Sequence, residues 1–224
     1  MDIARRGELA GRLLDGYVNG PAAATEATAR ALAKADGARA IVVVEGVSDQ
    51  MAVEALAARR GRDLGADGVV VLPIGGAQAI TRYLTMFGPR GAGLHLAGLC
   101  DAGEERVFRH GLSEAGLGEP RTRADLARLG FHVCVEDLED ELIRATGAAR
   151  TEALFESQGD LGSFRTLQAQ PAWRGRDAQA QLRRFLGSGS RRKLRYARLL
   201  VETADLDRLP HPLHAVLADI YHGA

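Results

Sequence analysis

At 224 residues the chain has room for one generous domain, or one domain with a helical extension, and for a sizeable core. Its composition, 46% hydrophobic and 26% charged, is that of an ordinary globular protein, and no apolar run is long enough to span a bilayer. A formal net charge of zero excludes a global field directed at polyanions, so any nucleic-acid surface must come from charge segregated along the chain.

Residues 1–36 are alanine-rich, with apolar positions at Leu9, Leu13, Leu14, Val18, Ala29, Leu32 and Ala33. The pattern predicts two packing helices broken at Asn19-Gly20-Pro21. Met1 to Arg6 leads into a polar segment rather than an apolar signal, so the expected compartment is the cytoplasm, with no membrane association. Residues 39–45 form the first predicted strand. The run Ile41-Val42-Val43-Val44 does not alternate, as expected of a strand buried on both faces. It ends on Glu45, and Gly46 allows a sharp turn and close approach of a ligand. A helix over 49–60 follows, with Asp49 in its first turn. Asp49 reads equally as a helix-capping carboxylate, with Ser48 as the alternative cap.

Val69 to Pro73 is the second strand, and Gly75-Gly76 opens a helix over 77–87 as a tight turn. Leu94 to Cys100 is the third strand, ending on Asp101, with a helix over 103–116. Phe131 to Val135 is the fourth, ending on Glu136, with a helix over 138–146. Strands alternating with helices predict an α/β fold: a mostly parallel, Rossmann-like sheet of about four strands between helices. Beyond 149 only helices are expected, broken at Gly159, Gly162, Pro171–Gly175, Gly187–Ser190 and Pro210–Pro212. The expected organisation is an N-terminal helical segment (1–37), the sheet domain (38–148) and a C-terminal helical extension (149–224). Cys100 and Cys134 lie far apart in apolar runs and read as buried thiols in a reducing compartment.

Three of the four strands end on an acid, and in a parallel sheet those ends share one edge. Clustered carboxylates repel, and a divalent cation removes that cost. The pattern Glu45-Gly46-x-x-Asp49 after one strand and Asp101 after a later one resembles a TOPRIM domain, over roughly residues 38–147. This domain is known from topoisomerases, bacterial primases, recombination and RNA-maturation proteins and OLD-family (overcoming lysogenization defect) nucleases. Asp137-Leu138-Glu139-Asp140-Glu141-Leu142, with Lys193 far downstream, is most similar to the OLD version. The resemblance implies a Mg²⁺- or Mn²⁺-dependent endonuclease that hydrolyses DNA phosphodiesters with a metal-bound water. Its ligands would be Glu45, Asp49, Asp101 and Glu139. Glu104 and Glu136 are second candidates, as ligands or as groups that orient one. Glu139 reads equally as a helix-start acid, and for Asp137, Asp140 and Glu141 a solvated helix face is expected.

Two departures stand out. The family's D-x-D reads Asp101-Ala102-Gly103 here, without its second aspartate, which leaves one metal or two open. No G-x-x-x-x-G-K-[ST] occurs, so an ATPase, where one is needed, is expected from another chain.

The only lysines are Lys34 and Lys193, in a chain whose default cation is arginine. A compact ammonium does what a guanidinium cannot, and the resemblance implies that Lys193 stabilises the transition state. Around it, Arg174, Arg176, Arg183, Arg184, Arg191, Arg192, Arg195 and Arg198 meet only Asp177 as an acid between 174 and 198. The stretch reads as a surface for the nucleic-acid backbone, or as a solvated face paired with acids elsewhere. Trp173 and Phe164 read as packing residues, and His211 and His214 as surface histidines. A TOPRIM module that binds DNA without cutting it, in repair or recombination, is the alternative function. A small-molecule phosphohydrolase is the second alternative, and a homodimer is compatible with the sequence.

Overall fold

In the computed structural model the described residues are 23–222. The predicted helix around Leu9 to Val18 lies outside them. The chain begins with α1 (Ala23–Ala35), then alternates through β1 (Ala40–Val44), α2 (Val47–Arg59), β2 (Val69–Pro73), α3 (Ile80–Phe87), β3 (His95–Cys100), α4 (Glu105–Ala115), α5 (Arg123–Arg128) and β4 (Phe131–Val133). The remainder is helical: α6 (Leu138–Thr146), α7 (Ala148–Ser157), α8 (Leu161–Ala169), α9 (Ala178–Leu186), α10 (Ser190–Thr203) and α11 (His211–His222).

The four strands form one parallel sheet in the order β2-β1-β3-β4. Both faces are covered, which is why β1 is apolar at every position. Ile41 and Val43 pack with α1, α3 and α4 on one side, among them Ala31, Ile80, Leu84 and Phe108. Ala40, Val42 and Val44 share the opposite core with α2 and the C-terminal helices, including Leu56, Leu142, Leu200, Leu213 and Val216. The last five helices therefore complete the sheet's second layer instead of building a core of their own. Within that layer Phe155, Phe164, Phe185 and Tyr196 pack ring to ring, with centroids 4.8–5.2 Å apart. Phe164 is fully buried and Trp173 packs against the same core. Backbone carbonyls fasten the layer to the sheet side. Arg59 Nη1 donates to Val201 O (2.7 Å) and Ala204 O (2.6 Å), and Arg39 Nη1 donates to Ile220 O (3.1 Å).

Several boundaries differ from expectation. The helix α5 was not expected. It is six residues long, too short to show a period, and its visible signal is the capping box in which Thr122 and Asp125 satisfy each other's backbone N–H. β4 stops at Val133 instead of Val135. Cys134 N–H still donates to Cys100 O, but Val135 N–H is taken by the Glu141 carboxylate and the Val135 side chain turns to solvent. Gly162 does not break the chain, since it lies in the first turn of α8. Pro212 lies in the first turn of α11, where its missing N–H costs nothing. The break at 204–209 was not expected. After Gly75-Gly76 (φ +74° and +120°) a 3₁₀ turn over Ala77–Ala79 precedes α3. Cys100 and Cys134 are free and buried.

Candidate metal centre at the strand ends

β1 and β3 are neighbours in register, so the residues that follow them meet. Glu45 Oε1 accepts the Asp101 N–H at 2.9 Å, which ties the two strand ends together across 56 residues of sequence. Asp49, at the third position of α2, accepts the Gly46 N–H at 2.9 Å. The capping role is thus real, and Ser48 does not provide the cap. Glu139 arrives from the first turn of α6 and is buried. Lys193, in the first turn of α10, places Nζ 3.1 Å from Glu139 Oε1. Glu139 Oε1 is a buried oxygen, and the Lys193 ammonium is the group that it pairs with.

The electrostatics bind these groups into one unit. Burial raises the Glu45 carboxyl, the Asp101 N–H opposes it, and the charges of Glu104 and Glu139 raise it further. Burial, then Glu139 and Asp101, hold Asp49 well above the ordinary carboxylate range. Asp101 is pushed up to about 7, first by burial, then by Glu45, Glu139 and Asp137, against the pull of Lys193. Burial alone would lower the Lys193 ammonium. Glu139, Asp49 and Asp101 outweigh it and hold Lys193 above its usual value. Four mutually repelling carboxylates thus share a single ammonium, an arrangement short of positive charge.

The donors suit a hard divalent cation. All four are carboxylates, the oxygen donors that such a cation prefers. The two nearby thiols do not compete. Burial raises Cys100 and Cys134 far above their usual range, and adjacent acids raise them further, so neither presents a soft thiolate. Among the described residues no three His, Cys, Asp or Glu side chains already converge into a coordination shell. Binding therefore needs side-chain rotation within the cluster.

The other expected residues divide. Glu104 is half-buried and its charge bears on Glu45. Glu136 is apart from the cluster. Its side chain is 64% exposed and lies 3.9 Å from Arg183, because β4 ends three residues earlier and the chain has already turned outward. The solvated-face expectation for Asp137, Asp140 and Glu141 fails. Asp140 and Glu141 are buried alongside Glu139, since α6 is enclosed by the sheet and by later helices. Asp140 accepts from Gln179 Nε2 (2.9 Å) and pairs with Arg144 (3.0 Å), while Glu141 accepts the Val135 N–H. Asp137 was undervalued. It caps α6 through the Asp140 N–H (2.8 Å), holds Arg183 (2.5 Å) and adds charge at Asp101. An aspartate three residues before an amide it can cap was the available signal.

The basic stretch is partly internal wiring. Arg183 pairs with Asp137, Arg192 and Arg195 with Asp160, and Arg198 with Glu202. Arg174, Arg176, Arg184 and Arg191 are exposed. Arg174 also donates to Ala169 O at 3.0 Å. His214 is engaged by Arg60 (2.6 Å) and Leu206 O (2.8 Å).

A parallel sheet in this order, with acids after its two central strands and in the following helix turn, defines a TOPRIM-like α/β protein. Residues 38–102 match the family described as "Overcoming lysogenization defect protein-like, TOPRIM domain". The fold is similar to the C-terminal region of the Xanthomonas campestris pv. campestris OLD protein. The mercury-phased structure gives a TM-score of 0.63 at 24% identity, over 83% of this chain and 96% of that one. The platinum-phased structure gives 0.64 at 23%, over 85% and 95%. The C-terminal region of the Burkholderia pseudomallei OLD protein gives 0.63 at 20%, over 83% and 98%. A search of curated proteins found no match. The chain carries a TOPRIM domain resembling that of OLD proteins. No helix among the described residues is long and apolar enough to cross a membrane.

Proposed function

We propose that the chain is a metal-dependent endonuclease module that hydrolyses DNA phosphodiesters at the strand-end cluster. The observation that carries this reading is the charge imbalance: Glu45, Asp49, Asp101 and Glu139 are held together, and among the described residues the Lys193 ammonium, paired with the buried Glu139 Oε1, is the cation set against them. These four carboxylates would hold Mg²⁺ or Mn²⁺. A bound divalent cation supplies positive charge where negative charge builds on the oxygens of a phosphodiester under attack.

Lys193 keeps its proton across neutral pH and aims an ammonium at the same place, where it offsets charge developing on a non-bridging oxygen. Asp137 orients the acids by capping α6, and Arg183 holds Asp137. The exposed Arg174, Arg176, Arg184 and Arg191 bind the sugar–phosphate backbone, while Arg183, Arg192 and Arg195 serve mainly to fix the helices. Supercoiled plasmid incubated with Mg²⁺, Mn²⁺ or chelator tests the reading. Cleavage should need metal and vanish in Glu45→Ala. Cleavage that persists in chelator or in the variant would sink it.

Gly103 favours a second reading. It stands where the family has an acid, and a Cβ placed there would meet no atom within 4 Å, so space is not what excludes one. A site lacking that acid would bind DNA without cutting it, alone or beside an ATPase on another chain. Retained gel shifts without metal-dependent cleavage would select this reading.

A further inference from the structure

A second constellation lies beside the outer strand β2, between α1 on one layer and α2 on the other. A cavity of about 630 Å³ opens there, a volume suited to a small organic ligand. Its floor is Val69 to Val71, and its lining includes Gln50 and Glu54 on consecutive turns of α2. Gln50 Nε2 donates to Glu54 Oε1 at 2.9 Å, which orients both side chains. The remaining oxygens, Gln50 Oε1 and Glu54 Oε2, are buried and have no hydrogen-bond partner. Gln50 is 8% exposed. Two buried acceptors left without a hydrogen bond side by side are costly, and the charges of Lys34 and Arg30 reach Glu54 without closing one to Oε2. Burial raises Glu54 to about 7 even with Gln50, Lys34 and Arg30 acting against it.

Arg30, Lys34 and Arg62 also line the cavity. Lys34 is exposed, and it is one of only two lysines in the chain. Arg62 is braced over the Tyr221 ring at 4.2 Å. The lining therefore offers paired acceptors from α2 and cations from α1 and from the loop after α2. The acceptors call for a group with two N–H donors, and the cations call for a phosphate.

We propose that this cavity binds a nucleoside phosphate whose base carries an amino group: the base would donate to Gln50 Oε1 and Glu54 Oε2, and the phosphate would sit among Arg30, Lys34 and Arg62. The amino group is the discriminating feature, because one nitrogen can donate to both oxygens. The site is separate from the strand-end carboxylates, so its test does not depend on cleavage.

Isothermal titration in chelator at pH 8.5, where Glu54 is ionised, with GMP, AMP, CMP, UMP and ribose 5-phosphate, decides it. The three amino-bearing nucleotides should bind about tenfold or more tightly than UMP and ribose 5-phosphate, as expected for a hydrogen bond to a charged acceptor. Glu54→Gln, a near-isosteric change, should remove about tenfold from those three and leave ribose 5-phosphate unaffected. Lys34→Ala, on an exposed position, should weaken every phosphate-bearing compound. Glu45→Ala should bind as the unaltered protein does. Equal affinity for UMP and GMP, an unchanged Glu54→Gln, loss of binding in Glu45→Ala, or no binding of any nucleotide at millimolar concentration would each overturn the proposal.

Discussion

Two of the places where this molecule draws carboxylates out of water are built in opposite ways. At the strand ends four acids share one lysine, and burial together with neighbouring acids raises Glu45, Asp49 and Asp101. At the turn before α8 the single carboxylate of Asp160 is over-supplied. It accepts the Tyr196 O–H at 2.9 Å, pairs with Arg195, and lies 3.8 Å from Arg192. Arg192 in turn stacks 3.9 Å over Phe185 and donates to Ser188 Oγ at 2.6 Å. The second arrangement is complete in itself and holds α10 against the aromatic cluster. The first is incomplete, and what it lacks is positive charge. The contrast separates an anchor, whose residues satisfy one another, from a site, whose residues wait for something else.

That distinction can be broken by mutation. Glu45→Ala should reduce metal-dependent cleavage by at least ~10³-fold while leaving thermal stability unchanged or higher in chelator, because a repelling charge is removed. Melting curves and plasmid nicking on the same samples check both halves. Asp160→Ala should do the reverse. Stripping the half-buried acceptor from Tyr196 and Arg195 should cost about 2 kcal/mol of folding stability in denaturant titration, with metal affinity nearly intact in the folded fraction. If Asp160→Ala is neutral, the anchor reading fails. Lys193→Ala should lower the cleavage rate by roughly 10²-fold with little change in DNA binding by gel shift.

The pH dependence sharpens the same comparison. Asp101 has a raised folded-state pKa of about 7. Such an acid binds its proton more tightly folded than unfolded, so its contribution is most favourable at low pH and is lost as pH rises from about 4 through 7. Added Mg²⁺ should therefore raise the melting temperature more at pH 8 than at pH 5. A metal effect that is equal at both would mean that Asp101 is not part of the metal centre. The smallest expected effect is that of Gly103→Asp. Open space at that position should keep the stability change within about 0.5 kcal/mol. Mn²⁺ affinity measured by calorimetry should rise severalfold. An unchanged affinity would show that position 103 does not face the metal.

Much of this was legible in the residues. The unbroken apolar run Ile41 to Val44 announced a strand covered on both faces, because a strand with one wet face would alternate. The acids at 45, 49 and 101 were legible as neighbours because parallel strands bring their ends to one edge. The helix α5 was not, since six residues are too few to display a helical period. The burial of Asp140 and Glu141 was hidden for a different reason. Their partners are Gln179 and the Val135 backbone, and no local pattern around 137–141 reveals that α9 will lie across them. Which arginines of the basic stretch pair internally was hidden in the same way, because Asp160 and Asp137 are distant in sequence from the arginines they neutralise.

The sequence by itself determined the parallel sheet, the shared edge of its carboxylates and the scarcity of lysine, because strand periodicity and residue chemistry are local properties. Only the tertiary structure decided which charges are spent and which are left over. Glu136 went to solvent, four arginines went to acids of the helical layer, and Lys193 went to Glu139 inside the carboxylate cluster. That outcome depends on which helices cover which ends, and desolvation and pairing are set by those long-range contacts alone.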